Sequence, residues 1–328
     1  MIFSFLRHSS AVGAVCMRAV KNVAVIAAAL PFTLLLPVSC GCQREKDDSK
    51  VHERLVERLE EITDGQPGRF GVAVITDSAD TIVFNNSADY PLMSMFKLHE
   101  ALAVCHALDI RGEGLDLILD VPESELNRNT WSPMIDGYTG GTLKTTVGEL
   151  LDWLLIHSDN NASNILFDRI VSVAGTDAYV RSLLPEDSFR LRWKESEMQE
   201  EHSRSYDNCS SPLSYASLVN RIFTVDIVSR DKQDAVIRAM GLCDTGLARI
   251  TAGLPAEKGL SFAHRTGSGY VNSRGEVIAV NDGGHVRLPS GKSYSIAVLV
   301  RDFKGEQADA EKVIAKISGA VYDCLSSI

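Results

Sequence analysis

The sequence predicts an α/β protein of the α+β kind, with an antiparallel sheet built from both chain ends, flanked by helices, and an all-helical domain inserted between the ends. Two observations predict it. Strand patterns occur near the start of the body and again after residue 260, and the stretch between them, about 93–246, reads as helices joined by polar loops. Val51, Leu55, Val56, Leu59 and Ile62 recur at helical spacing among charges, which predicts an amphipathic helix over 51–62. Residues 69–75 and 81–85 alternate or run apolar around the polar turn 77–80, a β-hairpin signal. Thr146-Val147-Gly148-Glu149 fits a capping box, and the apolar run 150–156 after it predicts a helix that leads to Ser158. Strands are then expected at 261–266, 277–281, 285–288 and 293–300, the last two joined by Pro289-Ser290-Gly291, and a helix closes the chain over 308–324.

The 328 residues are 45% hydrophobic and 23% charged, which suits a globular protein and excludes disordered, collagenous and coiled-coil classes. The formal charge is −10, and residues 1–39 carry Arg7, Arg18 and Lys21 but no Asp or Glu, so the remainder is more acidic still. A nucleic-acid-binding role, which needs a basic face, is therefore not expected. Seven cysteines stand at 16, 40, 42, 105, 209, 243 and 324, too sparse in the body for a disulfide scaffold. No metal or cofactor motif completes itself. His99-Glu100 opens an H-E-x-x-H pattern that Ala103 breaks, and Gly291-Lys292-Ser293 lacks the earlier glycine of a phosphate loop, with Val286 in its place.

Residues 23–36 form a 14-residue apolar run behind Arg18 and Lys21, ending near Ser39. The run is shorter than the ~20 residues a membrane span needs and contains Pro31, so 1–39 reads as a signal peptide, with Met1 or Met17 as its start. Pro37-Val38-Ser39-Cys40 resembles a bacterial lipobox, with Pro37 where Leu is usual, and so predicts a lipid anchor at Cys40. Residues 40–50 then read as a polar linker, 51–90 with 247–328 as an α/β domain, and 91–246 as the all-helical domain. Export predicts a periplasmic protein, anchored or free; a monomer is expected.

Three short segments carry chemistry. Ser94-Met95-Phe96-Lys97 sets a hydroxyl and an amine three apart, on one helix face at about 5–6 Å between Cβ atoms. Serine is a weak nucleophile until a neighbour takes its proton, and a neutral lysine can do so. Ser158-Asp159-Asn160 and Arg265-Thr266-Gly267 follow in that order. S-x-x-K alone matches many helices by chance; the ordered set of three does not.

This set resembles the signature of the class A serine β-lactamases and the penicillin-binding proteins of the same fold. The resemblance covers the body from about residue 51 to the end, including the two-part layout. It implies that Ser94 is acylated, that Lys97 is its base or proton relay, that Ser158 relays a proton to the β-lactam nitrogen, and that Asn160 holds the substrate amide. Asp159 would order its own loop. Trp131-Ser132-Pro133 resembles the aromatic gatekeeper at the cleft rim, usually Tyr. Arg265 stands where Lys is commonest and, as a cation, would hold the substrate carboxylate beside Thr266 and Gly267. Ser268 and Ser94 would supply the two backbone N–H groups of an oxyanion hole.

Glu195-Ser196-Glu197-Met198-Gln199 resembles the E-x-x-L/M-N segment that class A hydrolases carry and penicillin-binding proteins lack. Glu195 would activate the deacylating water and Asn164 would orient it, while Gln199 departs from the usual Asn. The Ser268 hydroxyl and the wording around Ser94 and Glu195 resemble the cephalosporinase branch. The reading is hydrolysis of a β-lactam amide through an acyl-serine, with a D,D-peptidase or penicillin-binding protein of the same fold, or a non-catalytic lipoprotein, as rivals.

Overall fold

In a computed structural model the described residues are 40–184 and 188–326. The chain divides into two units, Met1–Arg44 and Glu45–Ile328. The predicted leader, 1–39, and the side chain of Cys40 lie outside the described residues. The second unit carries the whole candidate site.

Helix α1 (Cys40–Thr63) starts eleven residues before the predicted first helix, so the expected linker 40–50 is helical backbone. Gln43, Arg44, Glu45 and Lys46 are strong helix formers, and no glycine or proline interrupts the stretch after Gly41, so the helix propagates without an apolar stripe to announce it. Strands β1 (Arg69–Thr76) and β2 (Thr81–Phe84) form the expected hairpin. The short β3 (Tyr90–Pro91) and a 3-10 turn (Met93–Met95) lead into α2 (Phe96–Arg111). The ribbon β4 (Ile118–Pro122) and β5 (Thr142–Thr146) follows, then α3 (Val147–Ile156), α4 (Asn160–Arg169) and α5 (Val173–Leu183). After β6 (Phe189–Arg190) come α6 (Glu195–Glu200), β7 (Cys209–Ser210), α7 (Pro212–Thr224), α8 (Arg230–Gly241) and the single turn α9 (Ile250–Gly253). The chain closes with β8 (Ser261–Ser268), β9 (Val277–Arg287), β10 (Ser293–Phe303) and α10 (Gln307–Ser326).

The main sheet runs β2-β1-β10-β9-β8, antiparallel, so that β1 pairs with β10 from Arg69↔Arg301 to Thr76↔Tyr294 and the two chain ends share one sheet. Two expectations are corrected. The inserted region is not all-helical: it holds β4 and β5, and β3-β7-β6 form a second small sheet, in segments of two to five residues too short to show alternation. The predicted strands 277–281 and 285–288 are one strand, because Gly283 and Gly284 serve close packing and not a turn. A Cβ at Gly284 would lie 2.2 Å from the Ala263 carbonyl, and one at Gly283 would lie 3.0 Å from the Tyr215 ring.

Alternation along the strands divides the core in two. Val72 and Val74 face Leu55 and Leu59 of α1 and Ile314 and Ile317 of α10, in a core made only of residues before 90 and after 249. Ala73 and Ile75 face the other way, into the core that α2, α3, α4, α7 and α8 build. The sheet edge at β8 therefore meets the N-terminal end of α2, and the candidate site forms at that seam.

Candidate active site

Ser94 sits in the 3-10 turn that runs directly into α2. The turn is held against the sheet from two sides. Asn281 of β9 donates from Nδ2 to the Pro91 carbonyl at 2.6 Å, and Gly267 of β8 packs so tightly that a Cβ there would lie 2.3 Å from the Leu92 carbonyl. Met93 next to Ser94 takes φ 47°, and Ser158 across the cleft takes φ 63°. Left-handed conformations at non-glycine residues cost of order 1–3 kcal/mol and persist only where surrounding structure imposes them.

The S-x-x-K spacing brings its two groups together through a third. Glu195 Oε1 is 3.4 Å from the Ser94 hydroxyl, which donates to it, and 3.1 Å from Lys97 Nζ. Lys97 is fully buried and also donates to the Ser158 carbonyl at 2.8 Å and to Asn160 Oδ1 at 2.6 Å. Burial pulls its pKa down, Glu195 opposes the shift and Arg265 adds to it, so the neutral amine is brought closer to reach. Asn160 turns its amide nitrogen to Thr130 Oγ1 at 2.8 Å, so both ends of the side chain are fixed. One turn after Lys97, Glu100 is buried against the Ser163 hydroxyl at 2.7 Å, and burial raises its pKa well above the carboxylate range.

Ser158 Oγ accepts from Arg265 Nη2 at 2.5 Å, with Lys97 Nζ at 3.5 Å on its other side. Two donors on the oxygen leave the hydroxyl proton as the group Ser158 can give. Asp159 caps α4 by accepting from the Ala162 N–H, and it also accepts from the Ser132 hydroxyl and the Met134 N–H. This ties the Trp131 loop to α4 and is the loop-ordering role expected for it. Trp131, 62% exposed, hangs at the rim with its indole N–H on the His157 carbonyl.

Arg265 differs from expectation. It is fully buried, with Nη1 toward Thr245 Oγ1 and Nε without a partner, so its charge acts from beneath Ser158 and Thr266 and not as an open bidentate clamp. Thr266 and Ser268 are the groups of this strand that face the cleft. Ser268 Oγ accepts from Nη2 of the buried Arg249, whose Nη1 donates to the Gly267 and Asn281 carbonyls and whose Nε meets Glu311. Asn164 and Gln199 also act less directly than their motif implied. Asn164 Oδ1 accepts from the Ser196 N–H at 3.1 Å, holding the backbone beside Glu195. Gln199 donates to the Asn129 carbonyl and accepts from Asn127 Nδ2, pinning the loop 127–129 at the cleft mouth.

Ser94, Ser158, Asn160, Glu195, Trp131, Gln199, Thr266 and Ser268 thus line one cleft of about 780 Å³, with Lys97 and Arg265 beneath its floor. Sequence reasoning missed Thr130, Thr245, Arg249 and Asn281. Each acts through a contact distant along the chain, and no local motif marks it.

A family model for the β-lactamase enzyme family matches residues 54–325. The chain is 40% identical over 308 residues to a β-lactamase of Phocaeicola vulgatus, covering 93% of this chain and 96% of that protein. Its fold superposes at a TM-score of 0.80 on a class A β-lactamase from Bacteroides cellulosilyticus, 31% identical, covering 85% of this chain and 99% of the other. The TLA-3 extended-spectrum β-lactamase gives the same TM-score, 0.80, at 32% identity, over 84% of this chain and 99% of that one. With the Ser94–Glu195–Lys97 cluster facing this cleft, the chain belongs to the β-lactamase enzyme family and, within it, to class A.

Proposed function

We propose that the protein hydrolyses the amide bond of β-lactams, cephalosporins foremost, through an acyl-enzyme on Ser94. The observation that carries the reading is the Glu195 carboxylate within reach of both the Ser94 hydroxyl and the Lys97 amine. In acylation Ser94 Oγ attacks the lactam carbonyl and its proton passes to the Lys97–Glu195 pair. The developing oxyanion takes hydrogen bonds from the backbone N–H groups of Ser94 and Ser268, and Ser158 gives its proton to the departing ring nitrogen. Asn160 and Trp131 hold the acylamide side, while Thr266 and Ser268, charged from below by Arg265, receive the carboxylate. In deacylation Glu195 takes a proton from a water that attacks the ester. The Ser268 hydroxyl, fixed by Arg249, and the likeness to an enzyme called extended-spectrum support the cephalosporin preference.

Turnover of a chromogenic cephalosporin tests the reading. The wild type hydrolyses it and Ser94→Ala does not, with an unchanged melting temperature, since the Ser94 hydroxyl caps no helix N–H and its hydrogen bond goes to Glu195 across the cleft. Residual turnover within about tenfold of wild type, or ~1.4 kcal/mol in the barrier, would contradict the nucleophile. We infer that the leader 1–39 directs export, that Cys40 anchors the protein by a lipid on the periplasmic side, and that it works as a monomer. Cell fractionation checks this: Cys40→Ala moves the protein from the membrane to the soluble fraction, whereas a wholly soluble wild type speaks against the anchor.

A further inference from the structure

The segment that carries Glu195 is fastened to both walls of the cleft. Asn164 and Asn129, which hold α6, belong to the inserted region. Beyond α6 the chain makes a 3-10 turn (His202–Tyr206), and there it meets the sheet wall. Tyr270 donates its hydroxyl to the His202 carbonyl at 2.5 Å, and the two rings pack with centroids 4.4 Å apart and planes at 31°. Both residues line the cleft. At the far end of the turn, Tyr206 donates to Asp302 Oδ1 at 2.5 Å and accepts from Asn272 Nδ2 at 3.2 Å, away from the cleft lining.

Tyr270 stands on a fixed platform. Hydrogen bonding between the ends of β8 and β9 continues past Ser268: the Gly269 N–H donates to the Ala279 carbonyl at 2.8 Å, the Ile278 N–H donates to the Tyr270 carbonyl at 3.1 Å, and Val271 bridges Val277. Thr266, Ser268 and Tyr270 alternate along this extended stretch, and all three line the cleft. The strand that offers the Ser268 N–H to an oxyanion therefore also holds the Glu195 loop, through a hydroxyl two residues further along.

We propose that Tyr270 is a positioning residue for deacylation: its hydroxyl keeps the Glu195 loop in register with the oxyanion strand, so that the water Glu195 activates meets the ester carbonyl. The proposal rests on the β-lactamase reading of the cleft. Acylation depends less on this clasp, because Ser94 and Lys97 are carried together at the start of α2. The attacking water has to be held between a carboxylate on one side and a carbonyl bound to the other, a relation that a small displacement spoils. Tyr270→Phe removes the hydrogen bond that fixes this relation and keeps the ring against His202.

The test uses full-length protein, a chromogenic cephalosporin, and rapid-quench intact-protein mass spectrometry below the melting temperature of each variant. In Tyr270→Phe the ester on Ser94 should clear about fivefold more slowly, what one ordinary hydrogen bond is worth. On an acyl-enzyme route kcat/KM does not contain the deacylation rate, so it should change by less than about twofold. Tyr206→Phe, which loosens the same turn from a ring that does not line the cleft, should slow clearance in the same direction. Clearance at the wild-type rate in Tyr270→Phe overturns the proposal, and equal falls in clearance and kcat/KM overturn the assignment to deacylation. Slow clearance in Tyr270→Phe alone would show that the hydroxyl acts on the acyl group directly, which overturns the positioning role. A wild type that forms no ester, or never clears it, contradicts the hydrolase reading itself, and the clasp with it.

Discussion

The two walls of the cleft are built on different principles. On the helical wall, Lys97, Ser158, Asn160 and Glu195 share short contacts centred on one buried lysine, and Glu195 brings a charge to the space where a substrate reacts. On the sheet wall, the cations Arg249 and Arg265 lie beneath the surface and spend their donors on carbonyls and hydroxyls of the fold. The same residue chemistry therefore does different work: in the proposed reaction the charges of the helical wall move protons, while those of the sheet wall hold the strand edge and act on Ser158 and Ser268 from below. Functional groups of the first kind are held at some expense to stability, because charge near a low-dielectric floor is disfavoured until it is used.

The largest effect expected from this comparison is on the sheet wall. Arg249→Ala removes the cation from Glu311 and a donor from two carbonyls and the Ser268 hydroxyl at once, and removing one side of a buried pair costs about 3–5 kcal/mol. Chemical denaturation should show that loss. A variant as stable as wild type would break the distinction between the walls.

A smaller effect of opposite sign is expected on the helical wall. Burial raises the pKa of Glu100, so the folded state binds its proton more tightly than the unfolded state does. The contribution is fully present below the unfolded value, about 4.5, and is lost as pH rises toward the folded one. Glu100→Gln keeps an acceptor for the Ser163 hydroxyl and has no proton to lose. Its melting temperature relative to wild type should therefore rise between about pH 4.5 and 7. A constant difference across that range would show that Glu100 titrates as it does in the unfolded chain.

The helical wall was legible in the sequence and the sheet wall largely was not. Ser94 with Lys97, Ser158 with Asn160, and Glu195 with Met198 lie within one helical turn or one capped loop of each other, so each pair stands in a short motif, and the order of the motifs carried the resemblance that marked them. Arg265 was legible as a cation but not as a buried one, because its depth depends on how β8 packs on the turn at Leu92. Asn281 reaches Pro91 across 190 residues and Arg249 reaches Ser268 from a one-turn helix, contacts that no local pattern encodes. The order helix, hairpin, helices, strands, helix follows from periodicity. The short strands β3 to β7 escape it, and so does the helical start of α1, whose charged residues carry no apolar stripe.

The central claim is that Glu195 serves the step after acylation, and intact-protein mass spectrometry after mixing with a cephalosporin tests it most directly. Glu195→Gln keeps the side chain's size and removes its basicity, and a general base is typically worth about 10²–10⁴-fold. The account predicts a mass adduct on Ser94 that persists in Glu195→Gln and clears in wild type between injections. Equal clearance in both proteins would show that Glu195 is not the deacylating base, and a persistent adduct in both would make the protein a penicillin-binding peptidase and not a hydrolase.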